Sequence, residues 1–238
     1  MNFSYPLAYT AGAVTAGLAV WVIARDPRNR VSQFLAAGMA VLALETVLSG
    51  LSIQAGAAAE FMLWYRAKTI AASFLPGAWL LFSLSYGRAN YREFLSRWKP
   101  VIAAVFGVPF LLSVFFQDGW LGGMPVTAAV GAARYLPLGW AGYSWSLAII
   151  VGAILILMNL ERTLRHSTGK KRWQIKFMII GVGALFGVRI YTSSLSILFS
   201  QITTDNLALQ AGALLAADAL IARSVLRTRE MAIDIYLS

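Results

Sequence analysis

Five polar residues stand inside apolar stretches of the chain, and their types and positions are the ones suited to chemistry: Glu45, Arg66, Lys68, Arg189 and Gln210. An ionisable side chain at mid-bilayer costs about 2.5–3.5 kcal/mol on insertion scales, so it is expected to be paired or to face a cavity. Glu45 and Arg66 each lie about eight residues from the turn joining their two stretches, a depth of roughly 12 Å at helical rise. That turn is short and makes the stretches antiparallel neighbours, so a Glu45–Arg66 ion pair is expected. Arg189 lies about ten residues, or ~15 Å, from the same side, with Gln210 at a comparable level and Lys68 slightly deeper. Three cations against one carboxylate leave positive charge that an anionic ligand or a lipid head group would match. Two readings follow: a purely structural polar network, and an outward-facing ligand pocket built from these five residues. Arg66 and Lys68 are two positions apart, about 200° around a helix, so they cannot both point at one centre and one of them is free to snorkel.

Other chemistry is lacking. The chain has no cysteine and a single histidine, which removes disulfides, thiol nucleophiles and most zinc sites. No phosphate-binding glycine loop, zinc motif or Ser-His-Asp arrangement is present. His166 falls in a basic loop and reads as a solvated residue. Retinal chemistry is disfavoured because the seventh apolar stretch has no lysine. No catalytic residue, metal site or cofactor is expected. Asp218, about four residues from the end of its stretch, is expected to pair with a loop arginine.

The elements that must position these residues are membrane helices. Hydrophobic residues make up 59% of the chain and charged residues only 13%, about half the charge of an ordinary soluble domain, roughly 25%. The apolar residues come in blocks of about 20, the length of a helix that crosses a bilayer. Seven such stretches are read: Tyr5–Ala24, Val31–Ile53, Ala58–Tyr86, Val101–Phe116, Pro137–Leu160, Gln174–Phe199 and Leu207–Ala222. Backbone groups in lipid must be satisfied within each segment, so each is a helix. The fold expected is an all-α, seven-helix transmembrane bundle. The N-terminus lacks the positive start of a secretory signal, so the first stretch is read as a retained helix.

Cationic loops stay in the cytoplasm. Sixteen of the twenty Lys and Arg residues fall in one set of loops and in the tail, and the opposite set contains only Arg134. The expectation is an outside N-terminus and a cytoplasmic C-terminus. The net charge of +10 and pI near 10.2 are thereby explained by topology, and no nucleic-acid partner is implied. In the longest external loop, Gln117–Leu136, and just after it, Trp120, Tyr135 and Trp140 are expected in the interfacial aromatic belt. Pro76 and Pro109 are expected to kink the third and fourth spans. The Gly183-x-x-x-Gly187 pattern of span 6, with Gly181 nearby, and the small residues Ala211-Gly212-Ala213 of span 7 permit close helix approach, expected within one chain.

Two segments carry a family resemblance. Arg25-Asp26-Pro27-Arg28-Asn29-Arg30-Val31-Ser32 follows the first span, and Leu75-Pro76-Gly77-Ala78-Trp79-Leu80-Leu81-Phe82-Ser83-Leu84-Ser85-Tyr86 closes the third. They resemble the N-terminal seven-helix sensor region of bacterial membrane histidine kinases. The segment Ala232-Ile233-Asp234-Ile235-Tyr236-Leu237-Ser238 is similar to one in kinases associated with exosortase and PEP-CTERM protein sorting. The resemblance implies a sensory input module of the bacterial cytoplasmic membrane, coupling an external or membrane signal to a cytoplasmic kinase domain. Its implied partners are the bilayer, a small ligand or lipid, that kinase domain and a second copy in a homodimer. Residues 1–222 would form the sensor. Residues 223–238 would begin a linker to an output domain that the sequence does not contain, leaving these residues without kinase activity. The rival readings are a small seven-helix transporter, with the deep charges lining a pathway, and a structural partner in a membrane complex.

Overall fold

The computed structural model describes residues 4–87, 91–120, 135–167, 169–203 and 206–234. Nine α-helices are described: α1 Ser4–Arg25, α2 Arg30–Gln54, α3 Ala58–Ser73, α4 Leu75–Ser85, α5 Tyr91–Arg97, α6 Lys99–Phe115, α7 Trp140–Arg165, α8 Gly169–Leu198 and α9 Asn206–Asp234. Each expected apolar stretch is helical. Six spans are long and apolar enough to cross a membrane alone, and α5 with α6, meeting at 62°, make a seventh. Large apolar side chains such as Val20, Leu44, Leu63 and Leu147 stay exposed on the outside of the bundle, as expected where lipid is the solvent.

Local sequence explains the helix ends. Asn29 caps α2, its side chain accepting from the Val31 amide at 3.0 Å. The third span is two helices joined at Phe74, with Pro76 in the first turn of α4, where its missing N–H costs nothing. Phe74 keeps helical dihedrals and its amide bonds the Ala71 carbonyl, so the proline leaves one tight turn. Pro109, by contrast, lies inside an unbroken α6. The sharp bend of the fourth span falls at Trp98, between α5 and α6.

The spans close into a ring: α1 packs on α2 and α9, α9 on α8, α8 on α7, and α4 joins α2 to α6 and α7. Trp79 of α4 is fully buried at the centre, edge-on to Phe82 and to Phe186 of α8. Gly38 of α2 makes room for it, because a Cβ there would stand 2.9 Å from the Trp79 Nε1. A buried polar knot ties α3, α6 and α7. Ser73 Oγ lies 2.9 Å from the Thr69 carbonyl and 3.1 Å from both the Pro109 carbonyl and Ser113 Oγ, and it accepts from Trp145 Nε1 at 3.0 Å.

The all-α bundle is borne out, with one short antiparallel ladder in its connections, β1 Tyr135–Pro137 with β2 Gln201–Thr203, pairing Leu136 with Ile202. Two expectations are corrected. Trp120 is buried against Trp145, Phe61 and Tyr65 and does not join an exposed belt, because the chain folds back and Gly139 N donates to the Trp120 carbonyl. Trp140 remains largely exposed, while the side chain of Tyr135 and loop positions 121–134, Arg134 among them, lie outside the described residues. The close approach of α8 to α9 occurs at Gly181, where a Cβ would be 3.1 Å from the Ala217 carbonyl. At Gly183, Gly187 and Gly212 an added Cβ would meet nothing within 4 Å.

Candidate functional site

The deep polar residues converge in the half of the bundle away from the basic loops, where α2, α3, α8 and α9 meet. Leu42 and Ala43 anchor the buried face of α2, which carries Glu45 inward in the next turn. Arg189 of α8 reaches across, and its Nη2 stands 2.5 Å from Glu45 Oε2. The Arg189 side chain is 12% exposed and that of Glu45 6%, so this is a buried ion pair. Thr192, one turn on, accepts from Gln210 Nε2 at 3.1 Å, tying α8 to α9. Lys68 of α3 lies in the electrostatic reach of both Glu45 and Arg189, with its ammonium 5.8 Å from the Tyr65 ring.

Glu45, Arg189 and Gln210 line one cavity with Thr46 and Ser49 of α2 and apolar residues such as Phe186. Its volume is about 40 Å³. That is room for a few waters, each needing roughly 10–15 Å³, and far below the ~300 Å³ of an ordinary small-molecule site.

The expected Glu45–Arg66 pair is not formed. Arg66 is exposed and lines a separate small cavity with Tyr65, Thr69 and Trp120. The two cations diverge, with Lys68 within electrostatic reach of the carboxylate and Arg66 lining the separate cavity. Four of the five residues are brought together, and the cluster holds two cations against one carboxylate where three were expected.

The family described as the N-terminal 7TM region of histidine kinase matches residues 7–230. This chain belongs to that family. No curated protein and no solved structure matches it. The protein is therefore the membrane-embedded sensory region of a histidine kinase, a multi-pass inner-membrane protein whose output partner is a cytoplasmic kinase domain.

In this sensory region a second buried polar contact went unread in the sequence. Asp218 of α9 accepts from Thr15 Oγ1 of α1 at 2.6 Å and, among the described residues, meets no loop arginine. Both residues are buried. The reason is length. The last apolar span runs to Leu226, past Ala222, which sets Asp218 further from its end than expected. A polar Thr15 within the apolar Ala11–Ala24 part of the first span was the available signal. Among the described residues no cluster of metal-binding side chains occurs, and His166 is exposed at the end of α7.

Proposed function

We propose that this histidine-kinase region registers its signal at the cluster of Glu45, Lys68, Arg189 and Gln210. The observation that carries the reading is the buried Glu45–Arg189 pair, set in a cavity with one wall on α9. That helix runs from Gln210 out to Asp234, so a rearrangement at the pair bears directly on the element leading toward the output. Arg66 is left out of this site because it faces elsewhere.

A signal acts here only by preferring one helix arrangement over another. The cluster has one cation more than it has carboxylates, so the fitting ligand is a small anion or a lipid phosphate that draws Arg189 or Lys68 away from Glu45. An organic ligand would enter only once the helices part, given the cavity's size. Residues 1–222 act as the sensor and 223–238 begin the linker, with the N-terminus outside and the basic end in the cytoplasm. Phosphotransfer belongs to the kinase domain and not to these residues, and two copies work as a dimer. The exosortase-associated subgroup is the reading favoured by the segment from Ala232 onward.

The test is autophosphorylation per folded molecule of the histidine kinase that carries this region, reconstituted in nanodiscs. Arg189→Gln and Gln210→Ala are expected to shift basal output several-fold. Output unchanged in both would overturn the proposal.

A further inference from the structure

At the basic end of the bundle, residues of α1, α2, α4, α8 and α9 line a larger, open cavity of about 290 Å³, close to the lower limit of the ~300–1,000 Å³ range of small-molecule sites. It shares no lining residue with the Glu45–Arg189 cavity. Its charged residues are neighbours at the end of α1, Arg25 and Asp26. The Arg25 guanidinium lies 4.8 Å from the centroid of the Trp21 ring, a cation–π contact that holds its plane. Its Nη1 is buried and has no hydrogen-bond partner among the described residues. A buried charged donor without an acceptor is costly, and a phosphate oxygen is the acceptor that a guanidinium fork matches best.

Asp26 lines the same cavity with an exposed side chain. It would repel a simple anion, whereas a ligand with an ammonium group beside its phosphate satisfies both residues. Hydroxyl groups complete the polar wall: Ser32 of α2, and the hydrogen-bonded pair of Tyr86 and Ser224. Leu35, Phe82 and Met178 supply an apolar wall suited to alkyl carbon.

We infer that this cavity binds an amine-bearing phosphate, its phosphoryl oxygens on Arg25 and its ammonium on Asp26. Phosphatidylethanolamine head groups and soluble phosphoethanolamine share this chemistry. Ser224 and Val225 of α9 form part of the wall, so occupancy presses on the helix that leaves the bundle. The inference does not rest on the sensing role of Glu45 and Arg189.

The experiment is native mass spectrometry of the chain released from nanodiscs containing equal parts of phosphatidylethanolamine, phosphatidylcholine and phosphatidylglycerol, with calorimetric titration by phosphoethanolamine alongside. The expected result is several-fold preferential retention of phosphatidylethanolamine, or saturable binding of phosphoethanolamine. Arg25→Gln should abolish either one. Asp26→Asn, at an exposed position that leaves the fold intact, should reduce retention to the phosphatidylcholine level. Displacement of the lipid by phosphoethanolamine assigns a soluble ligand, and retention in its presence assigns the head group. The inference is overturned by the absence of both signals in the wild type, or by their persistence in both variants.

Discussion

Arg189 and Glu45 lie 144 positions apart in the chain and meet through a single charge-assisted hydrogen bond buried between α8 and α2. Removing one partner of such a pair leaves the other charge uncompensated, which costs about 3–5 kcal/mol, whereas removing both charges costs far less. Arg189→Gln and Glu45→Gln should therefore each lower the thermal denaturation midpoint in nanodiscs, and the double variant should recover most of the loss. Arg66→Gln, at an exposed position, should leave the midpoint within experimental error of wild type.

The Thr15–Asp218 contact obeys the same logic without a cation. Thr15→Val removes the donor and strands a buried carboxylate, an expected loss of about 1–3 kcal/mol. Asp218→Asn keeps an acceptor oxygen facing Thr15 and should be tolerated better. Chemical denaturation of the two variants side by side checks the order, and an equal loss in both would contradict the contact.

Close packing at the centre makes a paired prediction. Gly38→Ala puts a methyl group against Trp79, and overpacking of this kind costs about 1–3 kcal/mol. Gly17→Ala, where an added Cβ would meet nothing within 4 Å, should be neutral or slightly stabilising through helix propensity. Their melting midpoints should separate accordingly.

Orientation can be read with introduced thiols, because the chain has no cysteine of its own. Gly56→Cys and Gln201→Cys should react with an impermeant maleimide in intact spheroplasts. Arg97→Cys and Arg165→Cys should react only after permeabilisation. The reverse pattern would invert the topology.

Much of this fold is legible in the sequence, because hydrophobic length and charge segregation are one-dimensional signals that a bilayer reads directly. All seven apolar stretches are helical, and Lys68 and Arg66 diverge as helical geometry requires. The partner of Glu45 was not legible. Equal depth picks out Arg66 and Arg189 alike, and the choice depends on how span 3 is rotated about its axis and on the long reach of Arg189 from α8. Neither is encoded in spacing. Trp120 shows a related limit: a tryptophan after an apolar stretch looks interfacial until its carbonyl accepts from Gly139 and its ring packs against Tyr65 and Trp145. The place of Asp218 differs for a simpler reason, since the last span runs past Ala222 to Leu226.

The central claim is that the Glu45–Arg189 pair transmits as well as stabilises. Its most direct test is autophosphorylation per folded molecule in the carrying kinase for E45R, R189E and the exchanged pair E45R/R189E. The account predicts that each single reversal fixes output at one level and that the exchange restores wild-type behaviour. Wild-type output per folded molecule in both single variants would contradict it, leaving the pair a purely structural bond.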